Sequence, residues 1–221
     1  MHRVPFFLEP SYLSKDAAWT EPHTSRMVRK FGSLARFDEV KRRHGLIPRG
    51  AEVGLDASCG YTQAQLSLRV QSSTLNSHRL ILYVAERWGW AVGEALYAIF
   101  NRKHFLEAGV LNDRELLAAS LGEVGLEGAA LHDSLTFLDS ERGTDTVLAH
   151  WERVQALGIF SIPTLVVDGK YRTSGAGRAD EVLALLERAV RASPNGSSGL
   201  FGDLEIALEP DGGRELRLAA P

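Results

Sequence analysis

The sequence predicts an α/β protein with a small amount of sheet and a large share of helix. Three observations carry that prediction. Thr164-Leu-Val-Val167 and Lys170 to Thr173 are short runs of β-formers on either side of Asp168-Gly169, and Asp-Gly tolerates the positive φ angles of a tight hairpin turn. Helical sequence flanks that hairpin on both sides, most clearly at 142–157 and 179–192. Between residue 20 and residue 140 apolar side chains recur at i, i+3, i+4 spacing, the signature of amphipathic helix.

Residues 2–8, His-Arg-Val-Pro-Phe-Phe-Leu, read as a strand. Pro5 has no N–H, which limits how its backbone joins a ladder. Thr20 to Lys30 reads as a helix with Thr20 as N-cap and Pro22 in its first turn. Gly32 stops it, and Ser33 caps the next helix, through about Arg43. Ala51 to Leu55 leads into a polar loop, 56–63. Asn76 is placed to cap a helix running to about Trp88. Glu94 to Phe105 follows, with Leu96, Ile99, Phe100 and Tyr97 on one side. Asn112 and Glu115 form a capping-box pattern for a helix to about Val124. Residues 127–140 and 142–157 add two helices, and Pro163 opens the first hairpin strand. After the helix at Ala179–Ala192 comes a Ser/Pro/Asn/Gly linker. Leu204 to Leu208 and Glu215 to Leu218 then pair around Asp211-Gly-Gly213 as a second hairpin.

Bulk properties exclude several function classes. The 221 residues are 44% hydrophobic and 24% charged, with net charge −3 and a sequence pI near 6.2. Nucleic-acid binding would need clustered Lys and Arg on a basic domain. No apolar run approaches the ~20 residues of a membrane helix, and Met1 to Pro5 carries no signal-peptide core. A cytoplasmic protein is expected, with no nucleic-acid or membrane partner. The histidines are scattered without ligand spacing, so no metal site is expected. One cysteine, Cys59, rules out a disulfide within this chain. Dithiol exchange needs an attacking thiolate and normally a resolving thiol, so Cys59 reads as a loop or packing residue.

Ile162-Pro-Thr-Leu-Val-Val-Asp-Gly169, ending in Ser174-Gly175-Ala176, resembles the proline-bearing segment of thioredoxin-fold proteins. Pro5-Phe-Phe-Leu-Glu-Pro10 resembles a Pro-Phe-x-Leu-x-Pro string on the second strand of the DsbA-like family. Ser73-Thr-Leu-Asn-Ser-His-Arg79 resembles its Asn-Thr-x-x-Ala-His-Arg helix start, with Thr74, His78 and Arg79 agreeing. Arg29 to Gly32, Glu52 to Leu55, and the helices at 94–105 and 112–124 are further, weaker matches. The chain is similar to FrnE-type oxidoreductases and 2-hydroxychromene-2-carboxylate isomerases.

The resemblance implies a DsbA-like thioredoxin fold made of residues 1–19 and 141–192, with 20–140 as an all-helical insertion and 193–221 as linker and extra C-terminal hairpin. It implies an N-terminally truncated member, without the strand and Cys-x-x-Cys helix that precede this point. It implies a cis Ile162–Pro163 peptide whose backbone forms a ledge for substrate. His78 is the acid/base candidate, since imidazole titrates nearest neutrality. Ser73, Asn76, Ser77 and Tyr97 complete the substrate-binding set. The activity implied is non-redox isomerisation, or related chemistry, on a small substrate of aromatic polyketide type, with no cofactor; glutathione is the one cofactor the family suggests. The alternatives are a non-catalytic ligand-binding or homodimeric assembly protein, and an incomplete thiol oxidoreductase. A tail strand at Leu204–Leu208, or a second subunit, is expected to cover the sheet edge left by the absent strand.

Overall fold

A computed structural model describes residues 3–15, 18–43, 68–167, 171–175 and 179–192. These residues divide into two compact units: those up to Leu8 together with those from Asp145 onward, and those from Glu9 to Thr144. The expectations placed on Cys59, on Ala51 to Leu55, on the Asp168-Gly169 turn and on the tail lie outside the described residues.

The larger unit opens with a single 3₁₀ turn, Pro10–Tyr12. Strand β1 (Thr20–Pro22) pairs antiparallel with β2 (Val70–Ser72), in the register Thr20↔Ser72, Glu21↔Gln71 and Pro22↔Val70. The helix expected from Thr20 therefore begins three residues later, as α1 (His23–Phe31). Thr20 is β-branched and pairs across the ladder instead of capping, and Pro22 ends the strand with φ −55° and ψ 137°. Gly32, at φ 86°, closes α1. The Ser33 hydroxyl accepts from the Arg36 amide at 3.1 Å, so Ser33 does cap α2 (Leu34–Arg43).

Four further helices build the core: α3 (Leu75–Trp88), α4 (Trp90–Leu106), α5 (Arg114–Glu123) and α6 (Gly128–Leu138). Gly89, at φ 95°, is the single residue between α3 and α4; a left-handed backbone there suits glycine. Leu80, Val84, Leu96, Leu117, Leu121 and Leu126 are almost wholly buried, and Phe100 and Phe137 join them. Each such side chain stabilises by about 1.5–3 kcal/mol relative to exposure. The ring of Tyr83 stacks on Phe137 with centroids 4.0 Å apart.

Two caps differ from expectation. Asn76 lies inside α3, where Thr74 occupies the N-cap position and the Ser73 hydroxyl accepts from the Leu75 amide at 3.3 Å. Helix α5 is capped by Asp113, whose carboxylate accepts from the Glu115 amide at 2.8 Å. Asn112 is buried and donates to the Trp19 carbonyl at 3.2 Å.

In the smaller unit, α7 (Thr144–Ala156) precedes the hairpin of β3 (Thr164–Val167) and β4 (Tyr171–Ser174), and α8 (Ala179–Ala192) follows it. The hairpin is antiparallel, Thr164↔Ser174 through Val167↔Tyr171. Arg172 reaches from β4 to the carbonyls of Leu157 (3.3 Å) and Gly158 (2.9 Å), tying the hairpin to the end of α7. The expected strand at 2–8 has no ladder partner among the described residues. Its alternation is kept in burial alone: Pro5 and Phe7 are buried, and Phe7 meets Trp151 edge-on at 5.8 Å. Buried side chains hold this segment, in keeping with the missing N–H of Pro5.

Candidate functional site

The first turn of α3 gathers Ser73, Asn76, Ser77 and His78. Ser77 is buried, and its hydroxyl donates to the Thr74 carbonyl at 2.9 Å. The amide oxygen of Asn76 accepts from Arg79 at 2.6 Å. The His78 amide donates to the Thr74 carbonyl at 3.0 Å, while its ring is half-buried. Burial pushes the imidazole pKa down to about 4, from the ordinary 6.5. Removing charge from water disfavours the protonated form, so the ring is neutral near pH 7. A neutral imidazole has one nitrogen able to take a proton and one able to give it.

Sequence reasoning matched Arg79 to a family string and missed what it does. Arg79 is 3% exposed. It donates to the carbonyls of Arg142 (2.8 Å), Phe137 (3.4 Å) and Ser140, besides Asn76. Its plane also lies 5.3 Å from the Phe137 ring. The Phe137 carbonyl belongs to the last turn of α6 and the other two to the loop that follows it, where the negative end of the helix dipole favours a cation. Asn76 and Arg79 therefore lock the turn that carries His78 onto the end of α6.

Tyr97 is half-buried on α4 and packs against the helical core. Ile162 and Pro163 belong to the smaller unit. Their peptide is cis, and Ile162 is 47% exposed. The loop before β3 also exposes Phe160.

A second polar cluster, in the larger unit, gave no sequence signal because its members come from four separate segments. The buried Tyr12 hydroxyl donates to the Glu21 carboxylate. Burial, then that bond, pushes the phenol up to about 12. Arg29 donates to the same hydroxyl at 3.1 Å and to Glu21 at 3.0 and 3.3 Å, while Arg26 pairs with Glu9 at 2.8 Å. The Arg29 hydrogen bond holds the Glu21 carboxyl below its usual range. Nearby in sequence order, buried His23 presents Nδ1 to Arg69 (2.9 Å) and Gln71 (3.2 Å). Both partners are donors, so Nδ1 is the acceptor toward them. These charges are internally paired, and they read as a brace for β1, β2 and α1.

Among the described residues, no group of three or more His, Cys, Asp or Glu is placed to hold a metal ion. No described helix is long and apolar enough to cross a membrane.

A family model described as a DSBA-like thioredoxin domain matches residues 50–187. Among solved structures, the crystal structure of a probable DsbA oxidoreductase from Streptomyces coelicolor is similar, with TM-score 0.62 and 23% identity. That match covers 87% of this chain and 74% of the other. No curated protein matches the sequence.

Proposed function

The chain belongs to the family of DSBA-like thioredoxin domains, and from that premise we propose that it is a non-redox enzyme of the isomerase type. Its substrate is small and aromatic, of the hydroxylated, polyketide-derived kind. His78 is the acid/base, and Ser73, Asn76, Ser77 and Tyr97 line the substrate site. No cofactor takes part. The observation that carries this reading is the half-buried, uncharged imidazole of His78 on a turn locked by Arg79. A base that weak suits an acidic position, such as a phenol or a carbon next to a carbonyl. An anionic substrate beside the ring raises its pKa toward neutrality, where acid–base catalysis is most effective. The sequence holds one cysteine, and the reading gives it no step.

The test is turnover by the His78→Ala variant on a panel of hydroxylated aromatic and chromene-type acids. The expected loss is about 100-fold or more, the contribution typical of a positioned acid/base. Unchanged turnover removes His78 from the mechanism.

A second reading, a non-catalytic binding or homodimeric assembly protein, is favoured by the solvent-exposed Phe160 and Ile162 on either side of Ser161. It is supported if light scattering shows a dimer, or a ligand binds, while no member of the panel is turned over.

A further inference from the structure

The close approach of α3 and α4 fixes which of their residues share a level. The single-residue link at Gly89 folds α4 back along α3. Gly93 meets Ala85 so closely that a Cβ added to it would lie 2.6 Å from the Ala85 Cβ. A step of seven residues is nearly two helical turns, so it keeps almost the same face. Seven back from Ala85 is His78, and seven on from Gly93 is Phe100. In a pair of helices folded back on each other, those two positions come level. Val92, Leu96 and Phe100 mark the core flank of α4, and Leu80 and Val84 that of α3. Tyr97 and Asn101, one turn apart on either side of Phe100, lie on the opposite flank of α4 and are half-buried. His78, also half-buried, lies on the flank of α3 turned from Leu80 and Val84. His78 and Asn101 are thus placed on facing flanks of one groove between the two helices.

Asn101 has no local reason to be in a helix. Asparagine is among the poorer helix formers, because its side chain competes for backbone groups. Its carboxamide makes no hydrogen bond among the described residues. Asn76 and Asn112, by contrast, each spend theirs on the fold.

We infer that Asn101 is the donor that stabilises the oxyanion formed when His78 acts, an inference that rests on the acid–base reading of His78. The neutral imidazole takes a proton from the carbon next to a carbonyl. The C–H electron pair becomes a C=C bond, and the carbonyl π pair moves onto oxygen. The Asn101 N–H donates to that oxygen, where negative charge develops. The imidazolium then returns the proton to another carbon of the conjugated system, and the C=O bond re-forms. Nothing outside the substrate is oxidised or reduced. A carboxamide suits the place. It favours the anion over the neutral substrate, yet it carries no positive charge to hold the imidazole deprotonated when it must accept.

Binding of 4-nitrophenol to the full chain tests this, since its phenolate carries an oxyanion and its ionisation is read by visible absorbance. The bound phenol is expected to ionise at lower pH than the free one. Asn101→Ala is expected to weaken phenolate binding about tenfold, and Asn101→Asp, which loses the donor and adds a like charge, by more. The thermal midpoint of Asn101→Ala is expected to stay or rise, because alanine favours the helix. Unchanged phenolate binding by Asn101→Ala, or no binding by the unaltered chain, overturns the inference. So does a loss accompanied by a fall of several degrees in midpoint, which would give Asn101 a packing role. His78→Ala separates this inference from the reading beneath it. If that variant keeps full turnover while Asn101→Ala still loses the phenolate, the donor stands and the role of His78 falls.

Discussion

At the scale of single residues, Arg79 and His78 divide the labour of one helical turn. Arg79 donates to carbonyls contributed by residues 137, 140 and 142; the Phe137 carbonyl keeps Ser140 as a donor, but removing the guanidinium takes a charged donor from the other two. Arg79→Met should lower stability by about 2–4 kcal/mol in urea unfolding. Arg79→Lys should recover only part of that, because an ammonium cannot fork between several acceptors. His78 sets a pH dependence of definite sign. Its folded pKa, about 4, lies below the ordinary 6.5, so the unfolded chain binds the proton first. Stability is therefore lost as pH falls from about 6.5 toward about 4. Burial depresses His104 and His150 in the same direction. Unfolding free energies at pH 7 and pH 4.5 should differ, with His78 contributing about 2 kcal/mol of the difference, and His78→Gln should remove that share. The letters of both residues stood out in the sequence. The role of Arg79 did not, because its partners are 58 to 63 positions away.

At the scale of elements, periodicity located α8 to the residue and α6 and α7 to within two, since each buries a stripe of its own. Local rules failed where a distant partner overrode them. Thr20 has the chemistry of a cap, but β2 arrives 50 residues later and takes it into a strand. Asn112 has the same chemistry, but the Trp19 carbonyl claims its amide and Asp113 caps α5 instead. Asp113→Ala should therefore cost about 1 kcal/mol, where a capping role for Asn112 would have left Asp113 neutral. The α3–α4 pair holds a contact that no propensity scale reports. A Cβ on Gly93 would lie 2.6 Å from the Cβ of Ala85 and 3.1 Å from its Cα. Helix propensity alone favours alanine over glycine by about 1 kcal/mol. Forcing the two helices apart costs more, about 1–3 kcal/mol beyond that gain. Gly93→Ala should lower the thermal midpoint by several degrees, whereas a rise would show that the helices yield freely.

At the scale of the whole molecule, the DsbA-like thioredoxin fold with helices between its sheet segments was legible from three short strings near residues 5, 75 and 165. Their order along the chain carried more information than any one of them. The pairing of residues 3–8 was not legible, because an apolar alternation specifies which side chains are buried and says nothing of which backbone lies alongside. Nor could the candidate site be read in full. Ser77 and Asn76 looked like free anchors for a substrate, and both spend a hydrogen bond on their own helix. The account gives the chemistry to the His78 ring, and it stands on acid–base rather than sulfur chemistry. Turnover of the aromatic panel by His78→Ala and Cys59→Ser, measured side by side, tests that claim most directly. The account predicts full activity for Cys59→Ser and a loss of about 100-fold or more for His78→Ala. Activity that vanishes with Cys59 and survives without His78 would contradict it.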